Sequence, residues 1–142
     1  MPEADRDDLP FRVLPRTTPE NEFFWTSGAD GKLRFLRCPH DGYYVHPPSP
    51  ICPICLRKDL APAEVSGRAT VASYTLNHQA WIPGWQLPYV VALVEIEEQP
   101  GVRLMTNIVN CEPHEVAIGM PVQVTFENRE EIWLPLFEPA ER

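Results

Sequence analysis

Cys38, Cys52 and Cys55 carry the clearest chemistry in the chain. Cys52-Pro-Ile-Cys55 has the spacing of a zinc knuckle, in which two thiolates from one tight turn reach one ion. An intact ribbon presents a second such pair upstream. Here the upstream half is Cys38-Pro39-His40-Asp41-Gly42, with Asp41 in the place of the second cysteine and the customary glycine after it. Three thiolates and one oxygen or nitrogen ligand make a workable tetrahedral set. Asp41 keeps the knuckle spacing, His40 is nearer to Cys38, and His46 stands before a Pro-Pro step; all three stay open as the fourth ligand. A closed set of four ligands leaves no position for water. Zinc held there is structural, tying two turns that lack a core of their own. The competing reading is a ribbon held by packing without metal.

Cys111, near a strand end, has His114 three residues on. A nucleophile needs a base within hydrogen-bond reach, and nearness in sequence does not supply it. Cys111 is expected to be a small buried or half-exposed residue, and no catalytic residue is assigned.

The elements that position these groups are mostly strands. At 142 residues, with 44% hydrophobic content, the chain is one domain or a small domain with an appendage. The net charge of −8 argues against nucleic acid, whose phosphates need a basic face. Seventeen prolines against seven glycines predict many rigid turns and few long helices. No apolar run reaches the roughly 18 residues of a membrane span. The first eight residues are acidic and polar, unlike a signal peptide. A cytoplasmic location follows by default, where thiolate–metal sites are favoured over disulfides.

Residues 1–18 are expected to form a flexible arm, with Phe11, Val13 and Leu14 better covered by a partner than left in water. Thr18-Pro19-Glu20 predicts a helix start, with a capping threonine, proline in the first turn and acids at the positive end. The helix runs two to three turns, until Ser27-Gly28. It presents Phe23, Phe24 and Trp25 in two directions, either into its own domain or to another subunit. A short strand from Gly31 to Arg37 leads into the ribbon, so that residues 19–62 form a helix and zinc-ribbon domain. Residues 63–142 are all-β. Strands are expected over 67–76, 89–96, 102–109, 121–126 and 131–137, with one helical turn over 112–119 that Gly119 ends. Five strands with a short helix between the third and fourth match an OB barrel. The fold class is mainly β, a five-stranded OB-fold barrel preceded by a zinc ribbon and a short N-terminal helix. The loop 77–88 carries Trp81, Ile82, Trp85 and Leu87. It is too apolar to be left in water, so it folds over its own barrel end or covers a ligand or partner.

These features in this order resemble a known family. The matching residues are Phe24-Trp25, Gly31-Lys32-Leu33, Cys38-x2-Asp41-Gly42, His46-Pro47-Pro48, Cys52-Pro-x-Cys55, Gly67-Arg68, Pro88-Tyr89-Val-Val-Ala and Ile118-Gly119-Met120-Pro121-Val122. From about residue 19 to 137 the chain resembles the OB-fold and rubredoxin-like zinc-ribbon family, long catalogued as a domain of unknown function, whose members accompany thiolases and thiolase-like aldolases. His46-Pro-Pro-Ser-Pro-Ile-Cys52 and Trp133-Leu-Pro-Leu-Phe-Glu-Pro139 look like its actinobacterial branch, associated with hydratase subunits of steroid side-chain breakdown. Where the family usually has a second upstream cysteine, this chain has Asp41.

The resemblance implies a non-catalytic partner that binds and activates a thiolase-fold retro-aldolase acting on a steroid acyl-CoA. A hydratase domain or subunit is a further partner. The metal set implied is Cys38, Asp41, Cys52 and Cys55. The arm, the aromatic helix and the Trp81–Trp85 loop would dock on the aldolase and order its mobile loops. His78 either hydrogen-bonds that loop to the barrel or lines the partner's acyl pocket; Tyr74 and Arg103 are either pocket residues or barrel surface. Arg34, Arg37, Arg57 and Lys58 either meet CoA phosphates or form a solvated rim. The alternative is a stand-alone acyl-CoA-binding or delivery module.

Overall fold

The computed structural model describes residues 10–140. One helical turn, α1 (Glu22–Thr26), runs into a 3-10 turn (Ser27–Asp30). The first sheet holds β1 (Leu33–Arg37), β2 (Tyr44–Val45) and β3 (Ala61–Val65) in the order β2-β1-β3, all antiparallel. A closed barrel follows from β4 (Arg68–Asn77), β5 (Tyr89–Ile96), β6 (Arg103–Ile108), β7 (Pro121–Arg129) and β8 (Ile132–Pro139), in the order β4-β5-β6-β8-β7. β8 closes it by running parallel to β6, Ile108 opposite Phe137. This is the OB arrangement, mainly β as expected.

Alternation explains the strands. In β5 every second residue, Val90, Ala92, Val94 and Ile96, is buried, and those between are half-buried. The core gathers Val71, Val90, Val94, Val122 and Phe137 from the barrel with Leu33, Phe35 and Phe24 from the first sheet and helix. The two parts are also joined by Gln99, which accepts from Tyr44 N–H at 2.8 Å and donates to Tyr44 O at 3.0 Å. Gly28 lies flat on the barrel wall, where an added Cβ would stand 2.4 Å from Phe126 Cδ1.

Two local expectations are corrected. Thr18 caps the segment, but regular helix begins only at Glu22. Asn21 Oδ1 accepts from Thr18 N–H at 2.7 Å and Asn21 N–H donates to Thr18 Oγ1 at 3.3 Å. This reciprocal pair caps the segment at Thr18, as expected, and Glu22 N–H donates to Thr18 O at 3.0 Å, but the regular helix is only the single turn Glu22–Thr26, shorter than the two to three turns expected. Its aromatics turn inward: Phe24 is buried, and Phe23 and Trp25 pack half-buried against the core. The turn expected over 112–119 contracts to a 3-10 turn, Pro113–Glu115. Gly119 is left-handed (φ 86°), but it ends no helix; its N–H donates to Val71 O at 2.8 Å and leads the chain into β7.

Candidate metal centre and barrel-mouth cleft

The β1–β2 connection and the segment before β3 form two matching turns. Cys38 N–H donates to Tyr43 O and Gly42 N–H to Cys38 O, both at 2.9 Å. In the second turn Cys52 N–H donates to Arg57 O and Leu56 N–H to Cys52 O, again at 2.9 Å. Each turn needs a left-handed residue at its end. Gly42 (φ 76°) serves the first, and Leu56 (φ 64°) serves the second against the steric preference of an L side chain.

The turns face each other. One ligand atom each from Cys38, Asp41, Cys52 and Cys55 falls in a group spanning no more than 4.8 Å. Cys38 Sγ is 3.5 Å from Cys55 Sγ, and Cys52 Sγ is 3.4 Å from Asp41 Oδ2. Tetrahedral zinc with bonds of about 2.3 Å places its sulfurs ~3.8 Å apart, so the donors fit such an ion. Cys38 and Cys52 are fully buried, Cys55 half-buried and Asp41 exposed. The Tyr43 N–H bond at 2.9 Å to Asp41 Oδ1 is the main reason its carboxyl sits below the usual range. At Cys55 the Arg57 N–H favours thiolate, but burial and the neighbouring Cys38, Cys52 and Asp41 outweigh it, pushing the thiol up to about 11. A coordinated cation inverts that order, because ligation deprotonates a thiol outright.

The other two candidate ligands face elsewhere. His40 Nε2 lies 2.6 Å from Asp59 Oδ2, and its Nδ1 meets Arg57. His46 packs between Phe24 and Phe35, with ring centroids at 5.0 and 4.7 Å. Its Nδ1 has no hydrogen-bond partner, and burial lowers its pKa to about 4.

The loop residues are not gathered at one point. His78 is exposed and Trp81 is 74% exposed, whereas Trp85 folds back on its own chain. Trp85 packs against Tyr89 at 4.7 Å and receives the Arg12 guanidinium 4.4 Å from its ring centre. The basic residues are largely occupied: Arg34 by Asp30, Glu64 and Ser27, Arg37 by Gly42 O and the Tyr44 ring, Arg57 by His40 and Arg103 by Glu95. Cys111 is half-buried; burial, with Glu115 and Glu112 nearby, raises its thiol pKa, opposite to an activated nucleophile.

Sequence reasoning missed Arg12. It lies in a cleft of about 730 Å³ at the barrel mouth, among Trp85, Asn107 and Glu127. Its partners are more than seventy residues away in the chain, so no local signal marked it.

A rubredoxin-like ribbon joined to an OB barrel defines the class. Residues 63–127 match the family described as "ChsH2, C-terminal OB-fold domain". The chain is 38% identical over 100 residues to a DUF35 domain-containing scaffold protein of Methanocaldococcus jannaschii, covering 68% of each. It is 36% identical over 142 residues to the 3-oxo-4,17-pregnadiene-20-carboxyl-CoA hydratase alpha subunit of Mycobacterium tuberculosis, covering 99% of this chain but 45% of that one. Among solved structures, a chain of an "Ltp2-ChsH2(DUF35) aldolase" superposes with a TM-score of 0.81 at 37% identity, covering 90% of this chain and all of that one. The chain belongs to the DUF35 family of OB-fold proteins. It spans less than half the length of the hydratase alpha subunits it matches. Among the described residues no helix is long and apolar enough to cross a membrane.

Proposed function

We propose that this chain is the non-catalytic partner of a thiolase-fold aldolase, and that it activates retro-aldol cleavage of a steroid acyl-CoA. The observation that carries this reading is the likeness, over 90% of this chain, to a chain of an "Ltp2-ChsH2(DUF35) aldolase". The steroid substrate rests on the hydratase alpha subunit, named for a pregnadiene carboxyl-CoA, and a hydratase subunit is the second expected partner. In the reaction a base takes the β-hydroxyl proton and the Cα–Cβ bond breaks. Its electrons pass to the thioester enolate, which is protonated, leaving a ketone and a shorter acyl-CoA. This chain's share is binding energy: apolar burial at Trp81 and the exposed knuckle residues Ile54 and Leu56 would hold the partner's loops in a productive arrangement. His78, next to Trp81, would face the partner.

Zinc is the proposed ion at Cys38, Asp41, Cys52 and Cys55. Bound there, it supplies a structural cross-link between the two turns. Asp41→Cys is expected to keep or tighten zinc binding, measured by competition with a chromogenic chelator, and to leave cleavage by the complex intact. Weaker binding in that variant would remove Asp41 from the ligand set.

The test is co-expression with a thiolase-like subunit. Co-purification is expected, together with loss of carbon–carbon cleavage when this chain is omitted. An aldolase fully active alone would sink the proposal. Binding of CoA esters by the isolated chain would favour the delivery module.

A further inference from the structure

OB barrels take ligands on the face built by their second and third strands and by the loops joining the first to the second and the fourth to the fifth. In this chain those parts are β5, β6, the loop 77–88 and the β7–β8 turn. An extended segment of the chain's own arm occupies this place. Arg12 enters between β6 and the end of β7. Its Nη1 donates to Asn107 Oδ1 at 3.1 Å, and its Nε lies 2.7 Å from Glu127 Oε2, an ion pair whose N–H is poorly aligned for a hydrogen bond. The side chains of Arg12 and Glu127 are only 17% and 12% exposed. The guanidinium stacks on Trp85, and the backbone on either side is held as well. Trp85 Nε1 donates to Phe11 O at 2.9 Å, and Arg129 Nη2 donates to Pro10 O at 2.6 Å. Arg129 is itself positioned by Glu127 at 3.1 Å.

We propose that this face is a binding site for an extended, arginine-bearing peptide, and that its occupant is the chain's own Pro10-Phe11-Arg12 segment. The chemistry is specific to arginine. A planar guanidinium can lie over an indole while its edge meets a carboxylate and an amide, whereas an ammonium cannot do both. The two backbone carbonyls are read by side-chain donors, so an extended backbone is required and Phe11, 64% exposed, is not. The site offers Arg12 the Glu127 carboxylate, which Arg129 also holds, and the Trp85 ring, a pairing that suits a single guanidinium.

The full-length chain tests this through the indole N–H resonance of Trp85, assigned with a Trp85→Phe variant. Arg12→Ala is expected to shift that resonance toward the position of a solvent-exposed indole and to open the arm to proteolysis after Arg16. Trp81→Phe, at a residue outside the contact, should leave both unchanged. A synthetic peptide of sequence PFRVLPR, added at millimolar concentration to the Arg12→Ala protein, should restore the original resonance. The same peptide with its third residue changed to alanine should not. The proposal is overturned by an unshifted Trp85 resonance in Arg12→Ala, by equal rescue from both peptides, or by rescue from neither. Arg12→Lys separates charge from shape: full retention of the resonance would also contradict an arginine-specific site.

Discussion

The ribbon and the barrel are both antiparallel β units, yet they are held by opposite means. The barrel closes on itself, and its interior is a row of buried valines, leucine and isoleucine capped by Phe137. The ribbon has one three-stranded sheet, one strand of which is only two residues long, and it buries Leu33 and Phe35 against the barrel. Beyond that sheet, residues 38–43 and 52–57 have backbone hydrogen bonds within their two turns and four converging ligand groups. A small unit without a core needs a cross-link, whereas a closed barrel does not.

Removing a ligand should therefore break one half and spare the other. Cys52→Ser is expected to abolish metal binding and unfold residues 38–57, read by metal analysis and by loss of amide protection there, while barrel amides stay protected. Structural zinc contributes about 10–16 kcal/mol in small zinc domains, so this is the largest effect. An ordered metal-free ribbon would show that packing suffices. Phe137→Ala strikes the other half. It should cost the fold about 3–5 kcal/mol, seen as a lower denaturant midpoint, and leave metal stoichiometry unchanged.

The boundary between the halves carries a pH dependence. His46 is half-buried against Phe24 and Phe35 with its pKa lowered to about 4, below the 6.5 of a free imidazole. As pH falls from about 6.5 to 4, the unfolded chain takes a proton that the folded chain refuses, so stability declines, by up to about 3 kcal/mol, and levels off below that window. His46→Phe should flatten this part of the stability profile. An unchanged slope would assign it to the carboxylates. The smallest effect concerns the two turns. Leu56→Gly, at φ 64° on a residue 71% exposed, should raise ribbon stability by about 1 kcal/mol, measured by amide exchange, and make the second turn resemble Gly42.

The barrel was legible because each strand states its own pattern. Val90 to Ile96 alternates in sequence and alternates in burial, and the five strands lie close to where periodicity put them. The knuckles were legible for a related reason: a tight turn brings residues three positions apart to one ion, so spacing alone identifies Cys52 and Cys55. The aromatic helix was harder. Phe23, Phe24 and Trp25 announce burial but not against what, and the Thr18 cap marks a start without showing how short the regular helix is.

Sequence by itself determined the succession of strands along the chain, the two turns and the candidate thiolate ligands, since all are local consequences of spacing and periodicity. Tertiary structure decided which fourth side chain joins the thiols. Asp41 reaches them, while His40 is drawn to Asp59 and His46 is enclosed by two phenylalanines. It also decided the fate of Arg12, a lone cation in a proline-rich arm until folding sets Glu127, Asn107 and Trp85 around it. The physical reason is the same in both cases. A charged or polar side chain is placed by the partners that replace its water, and those partners come from distant parts of the chain.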